Sequence, residues 1–310
     1  MDKTTKFLKN PIVVAIGALL CCALWGSATP FIKTGYRLIL LTEKPDVPST
    51  LLFAGCRFLL AGFLTILIYS IARRKVLVPK KENLGRVAIM SVFQTILQYA
   101  FFYIGLANTS GVKGTVLSAS NAFFCLLVAS LIFRQEKLTF KKVFACVLGF
   151  AGIILINLNG LDFTMNFLGD GFVIFSAISA ASASVLIKRY GKYEDSVVLS
   201  GYQFMLGGAV LIVVGLIFGG TMSLSSMTGI WVLIYLAFLS AIAFGLWGVL
   251  LTKNPVSKVT IYHFTVPVFG VILSNLMLKE QSQVSTMNLL LTLLLVCAGI
   301  ILLNAKKEEK

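Results

Sequence analysis

Few side chains in this sequence can change charge or grip a solute away from its loops. The single histidine, His263, stands in the apolar run NPVSKVTIYHFTVPVFGVILSNLMLKE, residues 254–280. Imidazole is the one side chain that ordinarily titrates near neutral pH, so His263 could hydrogen-bond a solute or carry a proton. Pro267, four residues on, has no N–H to offer the His263 carbonyl. An imidazole and an unbonded backbone acceptor are therefore expected on one turn. Thr260, His263, Pro267, Gly270 and Ser274 recur at 3-4-3-4 spacing, a small and polar stripe that should face protein or water rather than lipid.

Other groups could converge with it. Pro30 withdraws an N–H from the Gly26 carbonyl, next to Trp25. Gln94, Gln98 and Tyr99 put amides and a phenol into an apolar stretch, and Ser118, Asn121, Ser176, Ser179, Trp247 and Tyr262 add hydroxyls, an amide and aromatic walls. The candidate binding set is His263, Trp25, Gln98, Tyr99, Ser118, Asn121, Ser179, Trp247 and Tyr262, suited to a zwitterion or a polar neutral solute. Each has a plainer alternative, since serines bond their own helix and prolines merely kink one. Arg57 could clamp a carboxylate bidentately, or its stem could carry the charge out to the interface or bond neighbouring helix ends. No catalytic cluster, metal-ligand spacing or cofactor motif is present, so no metal and no cofactor are expected.

The elements that must position these residues are membrane spans. Hydrophobic residues make up 58% and charged ones 13%, and the mean hydropathy is +0.92, outside the soluble globular range. Ten apolar spans are expected: about 12–36, 50–72, 86–107, 111–133, 141–158, 168–188, 197–218, 229–251, 256–278 and 285–304. Lys3, Lys6 and Lys9 before an apolar run imitate a signal peptide, but the run continues to Ile32 and reads as the first span. The six cysteines fall in apolar runs and read as small packing residues.

A net charge of +15 could mean a polyanionic partner, so its distribution decides. Of 27 Lys and Arg, 21 lie in the two tails and in alternate connections, at 73–86, 134–142, 188–192 and 253–258. That is the positive-inside pattern. It accounts for the charge without nucleic acid and puts both termini in the cytoplasm of a bacterial-type inner membrane.

The chain also echoes itself. AGIILIN (151–157) answers AGIILLN (298–304), AGCRFLLAG (54–62) answers SGYQFMLGG (200–208), and SATPFIK (27–33) answers SASVLIK (182–188). Lys113 falls where Lys258 falls, and the stripe Thr115, Ser118, Ala122, Cys125, Ala129 matches the one around His263. Residues 1–158 and 159–310 thus read as two five-helix copies. Five spans is an odd number, so the second copy should insert upside down, an arrangement of secondary transporters.

WG at 25–26, Ser110 to Lys113, Pro255 to Lys258, VPVFG at 266–270, and the helix-ending Glu136 and Glu280 together resemble EamA-type proteins of the drug/metabolite transporter superfamily. The likeness covers nearly the whole chain. It departs at SNAFF (120–124), which replaces a proline motif, and at Val266, where many relatives carry glutamate. The resemblance implies export or exchange of small metabolites such as amino acids, through a cavity lined by helices 1, 3, 4, 6, 8 and 9. It makes helix 2 peripheral, which favours the interfacial reading of Arg57.

The expectation is an all-α integral membrane protein of ten transmembrane helices in two inverted repeats, monomer or homodimer in the lipid bilayer. It would move a small-molecule substrate and would not be an enzyme. One alternative is a membrane enzyme acting on lipids, which a single histidine and no carboxylate cluster serve poorly. Another is a carrier of nucleotide sugars or phosphorylated solutes, which would want more cavity cations.

Overall fold

The computed structural model describes residues 3–158, 164–278 and 286–305, with only the backbone of 3, 4, 274–278 and 286. Glu280 and Lys279 lie outside the described residues, as does the side chain of Ser274. After a short helix, Lys3–Leu8, nine helices among the described residues are long and apolar enough to cross a bilayer. They are α1 Pro11–Leu40, α2 Val47–Ala72, α3 Lys81–Ala107, α4 Gly111–Ile132, α6 Phe167–Tyr190, α7 Ser196–Ile217, α8 Met227–Lys253, α9 Val256–Leu273 and α10 Met287–Asn304. Between α4 and α6, α5 Phe140–Ile156 has 17 residues, about 26 Å at 1.5 Å per residue, a little short of a ~30 Å hydrocarbon core. Among the described residues, nine helices have full spanning length and there is no strand.

Side chains start the helices. Asn10 accepts from the Ile12 N–H, Asp46 from Ser49, Ser110 from Lys113, Asp195 from Val197 and Ser226 from Gly229, satisfying donors that a helix start leaves open. Pro11 and Pro48 occupy first-turn positions, where a missing N–H costs nothing.

Apolar side chains face lipid as readily as protein, so close backbone approach has to hold the bundle together. A Cβ on Gly55 of α2 would meet the Gly208 carbonyl oxygen of α7 at 2.8 Å, and one on Gly208 would meet the Gly55 oxygen at 2.8 Å. Further along, a Cβ on Gly62 would lie 2.5 Å from the Gly201 oxygen. The two helices therefore run antiparallel. Helices α5 and α10 meet in the same way: Gly152 faces Thr292 and Val296, while Gly299 faces Ala145 and Gly149. Helix α1 packs on α8 and α9, α3 on α6, and α4 on α6 and α9.

The connections fall at two ends of the bundle. At one, the Arg73 guanidinium pairs with Asp195, and the Lys80 N–H and the Asn83 amide donate to Glu194 at 2.9 Å. At the same end, Asn254 donates to the Leu8 carbonyl at 3.0 Å. At the other, the Ser223 N–H donates to the Ile39 carbonyl at 2.8 Å, and the Thr221 N–H to Ser49 Oγ at 3.0 Å. The connections at 73–86, 134–142, 188–192 and 253–258, with their Lys and Arg, all lie at the first end.

Candidate functional site

Trp25 is the fifteenth of the 30 residues of α1, at mid-helix, and it packs against three separate apolar clusters. Its ring centroid lies 5.0 Å from Phe244, 5.0 Å from Trp247 and 5.3 Å from His263, and Trp247 is 6.0 Å from His263. The next residue makes this approach possible. A Cβ on Gly26 would stand 2.6 Å from Phe269 Cβ and 2.9 Å from the Gly270 N, so only glycine lets α1 lie directly on α9. Within the cluster, Trp25 Nε1 and His263 Nδ1 are buried polar atoms without a protein partner. Buried groups of that kind are rare and ask for an explanation.

Helix α9 is not regular where His263 sits. It runs as α-helix to Thr260, tightens into a 3-10 segment over Ile261–Thr265 and resumes at Val266. The sequence reading left the His263 carbonyl unbonded beneath Pro267, and the structure corrects this: the Val266 N–H donates to it. Losing the donor at Pro267 shortened the turn instead of opening it. The Tyr262 carbonyl is served by side chains, Thr265 Oγ1 at 2.7 Å and Cys22 Sγ of α1 at 3.2 Å.

Helix α4 breaks at the equivalent place. A turn at Ser120 separates Gly111–Ala119 from Asn121–Leu127, and Ser120 Oγ donates to the Leu117 carbonyl at 2.5 Å. Ser120 and Thr265 correspond when Lys113 is laid on Lys258, so both helices break beside a hydroxyl bonded three residues back. The bend thus survives in SNAFF without a proline.

The remaining candidates divide. Trp247 joins the Trp25–His263 cluster, and Tyr262 is buried beside it in the same core. The Gln98 backbone carbonyl accepts from Ser176 Oγ at 2.7 Å, tying α3 to α6. Tyr99 stacks near Phe58, 4.3 Å away, and Tyr103, 6.2 Å away. Ser118 Oγ and Gln94 Oε1 are buried and unpartnered. Asn121 accepts from Cys125 within its own helix at 3.3 Å, and Ser179 is buried. Among the described residues no hydrogen bond joins Ser118, Asn121 or Ser179 to the aromatic cluster. All six cysteines are free, and no group of His, Cys, Asp and Glu among the described residues could hold a metal ion.

The sequence singled out Glu136, Lys113 and Arg57 but not what they bond. Glu136, past the end of α4, accepts from the Ser257 N–H at 3.0 Å, from Ser257 Oγ, and from Lys142 Nζ at 2.6 Å. Burial would raise its pKa, but the bonds from Lys142 and Ser257 outweigh that and hold it below the ordinary carboxylate value. At the opposite end Lys113 pairs with the fully buried Asp170 at 2.7 Å, and Thr109 Oγ1 donates to Asp170 at 2.5 Å. The sequence marked these places only as Ser110 to Lys113, Pro255 to Lys258 and the helix-ending Glu136. Arg57 does not reach for the interface: it is 4% exposed and is the eleventh of 26 residues of α2, close to mid-helix.

Two cavities open at the basic end. One of about 470 Å³ at the basic end is lined by Lys9, Lys188, Lys253, Lys258 and Asn254 among others, and one of about 540 Å³ lies beside 134–138. Neither touches the Trp25–His263 cluster.

A bundle of apolar helices, packed through glycines and interrupted at two equivalent helices, describes a polytopic membrane transporter. The chain belongs to the EamA-like transporter family, which matches it twice, over residues 12–158 and 167–305. It is a transporter, not an enzyme. It is 27% identical to an uncharacterized transporter, YoaV of Bacillus subtilis, over 93% of this chain and 96% of that one. It is 28% identical to a "Probable amino-acid metabolite efflux pump" of Escherichia coli, over 85% and 86% of the two chains. One crystal structure shares the fold with a TM-score of 0.76 at 16% identity, covering 94% of this chain and 96% of its own.

Proposed function

We propose that this transporter exports or exchanges a small polar metabolite, an amino acid or a close relative, by alternating access of two inverted five-helix repeats. Both termini would lie in the cytoplasm. The solute would bind near mid-membrane against Trp25, Trp247, Tyr262 and His263, with Gln98, Tyr99, Ser118, Asn121 and Ser179 on the facing helices. The observation that carries this reading is the unpartnered pair, Trp25 Nε1 and His263 Nδ1, buried within one aromatic cluster where α1, α8 and α9 meet. An indole donor and an imidazole nitrogen framed by aromatic faces suit an amphipathic solute with a polar end. The matched breaks in α4 and α9 support it as well, since broken helices offer transporters backbone groups at the site. The name of the Escherichia coli relative supports the substrate class.

The test is counterflow of each standard amino acid into liposomes holding the purified protein. Trp25→Ala and Gln98→Ala should abolish uptake that the wild type shows, with folding and insertion kept. If protons are coupled, His263→Gln should flatten the pH dependence between pH 5.5 and 8 while binding persists. Full transport by both the Trp25 and Gln98 variants would remove α1 and α3 from the solute path.

A further inference from the structure

Arg57 carries a charge that the described protein does not neutralise. A guanidinium stays protonated under all conditions met by proteins, and this one is buried close to mid-membrane, where an unpaired charge is costly. It forms no ion pair among the described residues. Its Nε and Nη2 both donate to Ser240 Oγ of α8, at 3.2 and 2.9 Å. The Ser240 proton goes to the Leu236 carbonyl at 2.8 Å, so the hydroxyl meets Arg57 with its lone pairs. One edge of the guanidinium is thereby used. The other, formed by Nη1 and the second N–H of Nη2, has no acceptor among the described residues, and that edge matches the two oxygens of a carboxylate.

The surroundings suit such a ligand. The Arg57 guanidinium lies 5.1 Å from the centre of the Phe58 ring, and Tyr36, Tyr99 and Tyr103 pack in the same cluster as Phe58. Tyr36 and Tyr99 are only partly buried. Rings link this place to Trp25 in short steps: Phe58 to Phe204 at 5.1 Å, Phe204 to Phe244 at 4.9 Å, and Phe244 to Trp25 at 5.0 Å.

We infer that Arg57 is a carboxylate clamp on the solute path, with Ser240 holding the guanidinium in place and the tyrosines walling the site. The inference rests on the proposed central path and narrows its substrate to solutes bearing a carboxylate. A purely structural Arg57, tying α2 to α8, would affect stability without caring whether a solute carries an acid.

The test compares three probe sets on the purified protein in nanodiscs, by binding and thermal shift: free L-amino acids, the same compounds as carboxamides, and the corresponding 2-oxo acids. The wild type should prefer acid over amide by about ten-fold or more, the scale of hydrogen bonds to a charged group. Arg57→Gln should erase that preference. Arg57→Lys, which keeps the charge but loses the two-pronged edge, should cut acid affinity while the protein stays folded. Binding of 2-oxo acids alone, with Arg57-dependent preference, would keep the clamp and refute the amino-acid reading. Equal binding of acids and amides, amides alone, or no binding by any set would overturn the clamp, as would a full acid preference in Arg57→Lys. Transport of amino acids and amides alike would leave the transporter reading standing without it.

Discussion

Replacing Gly208 with alanine tests whether backbone contact holds α2 against α7. The new Cβ would lie 2.5 Å from the Leu59 N, 2.8 Å from the Gly55 oxygen and 3.0 Å from Leu59 Cα. Ordinary contact begins near 3.4 Å, so the helices must part by about 0.6–0.9 Å. These neighbours are backbone and cannot swing aside. A gap of that size forfeits a quarter to a half of each nearby dispersion contact, and overpacking of this kind costs about 1–3 kcal/mol. At roughly 2–4 °C per kcal/mol for mid-sized soluble domains, thermal unfolding in detergent should fall by several degrees. Gly85, where a Cβ would meet nothing within 4 Å, is the control, and Gly85→Ala should leave the melting temperature unchanged or slightly higher through better helix propensity. Gly55→Ala attacks the same contact from the other helix. Once one Cβ has parted the backbones the second costs less, so the double variant should lose less than the sum of the singles. A folded Gly208→Ala melting with the wild type would refute the close-contact argument.

At the basic end, Glu136 ties α9 to α4, and its pKa is held below the ordinary value. A lowered carboxylate pKa stabilises above the unfolded value and loses that contribution as pH falls through the folded one. Wild-type stability should therefore drop as pH is lowered below about 4.5, and Glu136→Gln should lack that part of the drop and start about 1–3 kcal/mol less stable at neutral pH; parallel pH curves for the two proteins would count against the brace. For orientation, single cysteines at Ser225 and Lys137 in a cysteine-free background should label from opposite sides of the membrane, Ser225 from outside and Lys137 only after permeabilisation. Labelling of both from one side would sink the inverted arrangement.

Composition and pattern determined that this chain is an all-helical membrane protein, because in lipid every backbone polar group must be bonded within its own helix. The echoes AGIILIN and AGIILLN were visible in one dimension. The placing of Trp25 and His263 on spans was equally legible. What they touch was not. The ring cluster of Trp25, Trp247 and Phe244 depends on α1 resting on α9 at Gly26, a contact between residues more than 200 apart in the chain. The His263 carbonyl had to be read in place, since a lost donor can open a helix or tighten it, and here the turn tightened. Arg57 shows the limit most directly. The family resemblance made helix 2 peripheral and so favoured an interfacial side chain, but Arg57 lies near the middle of α2 and meets Ser240 of α8. Depth in a membrane and the partner of a charge are set by how helices stack, and helical periodicity carries no information about which neighbour fills the next groove.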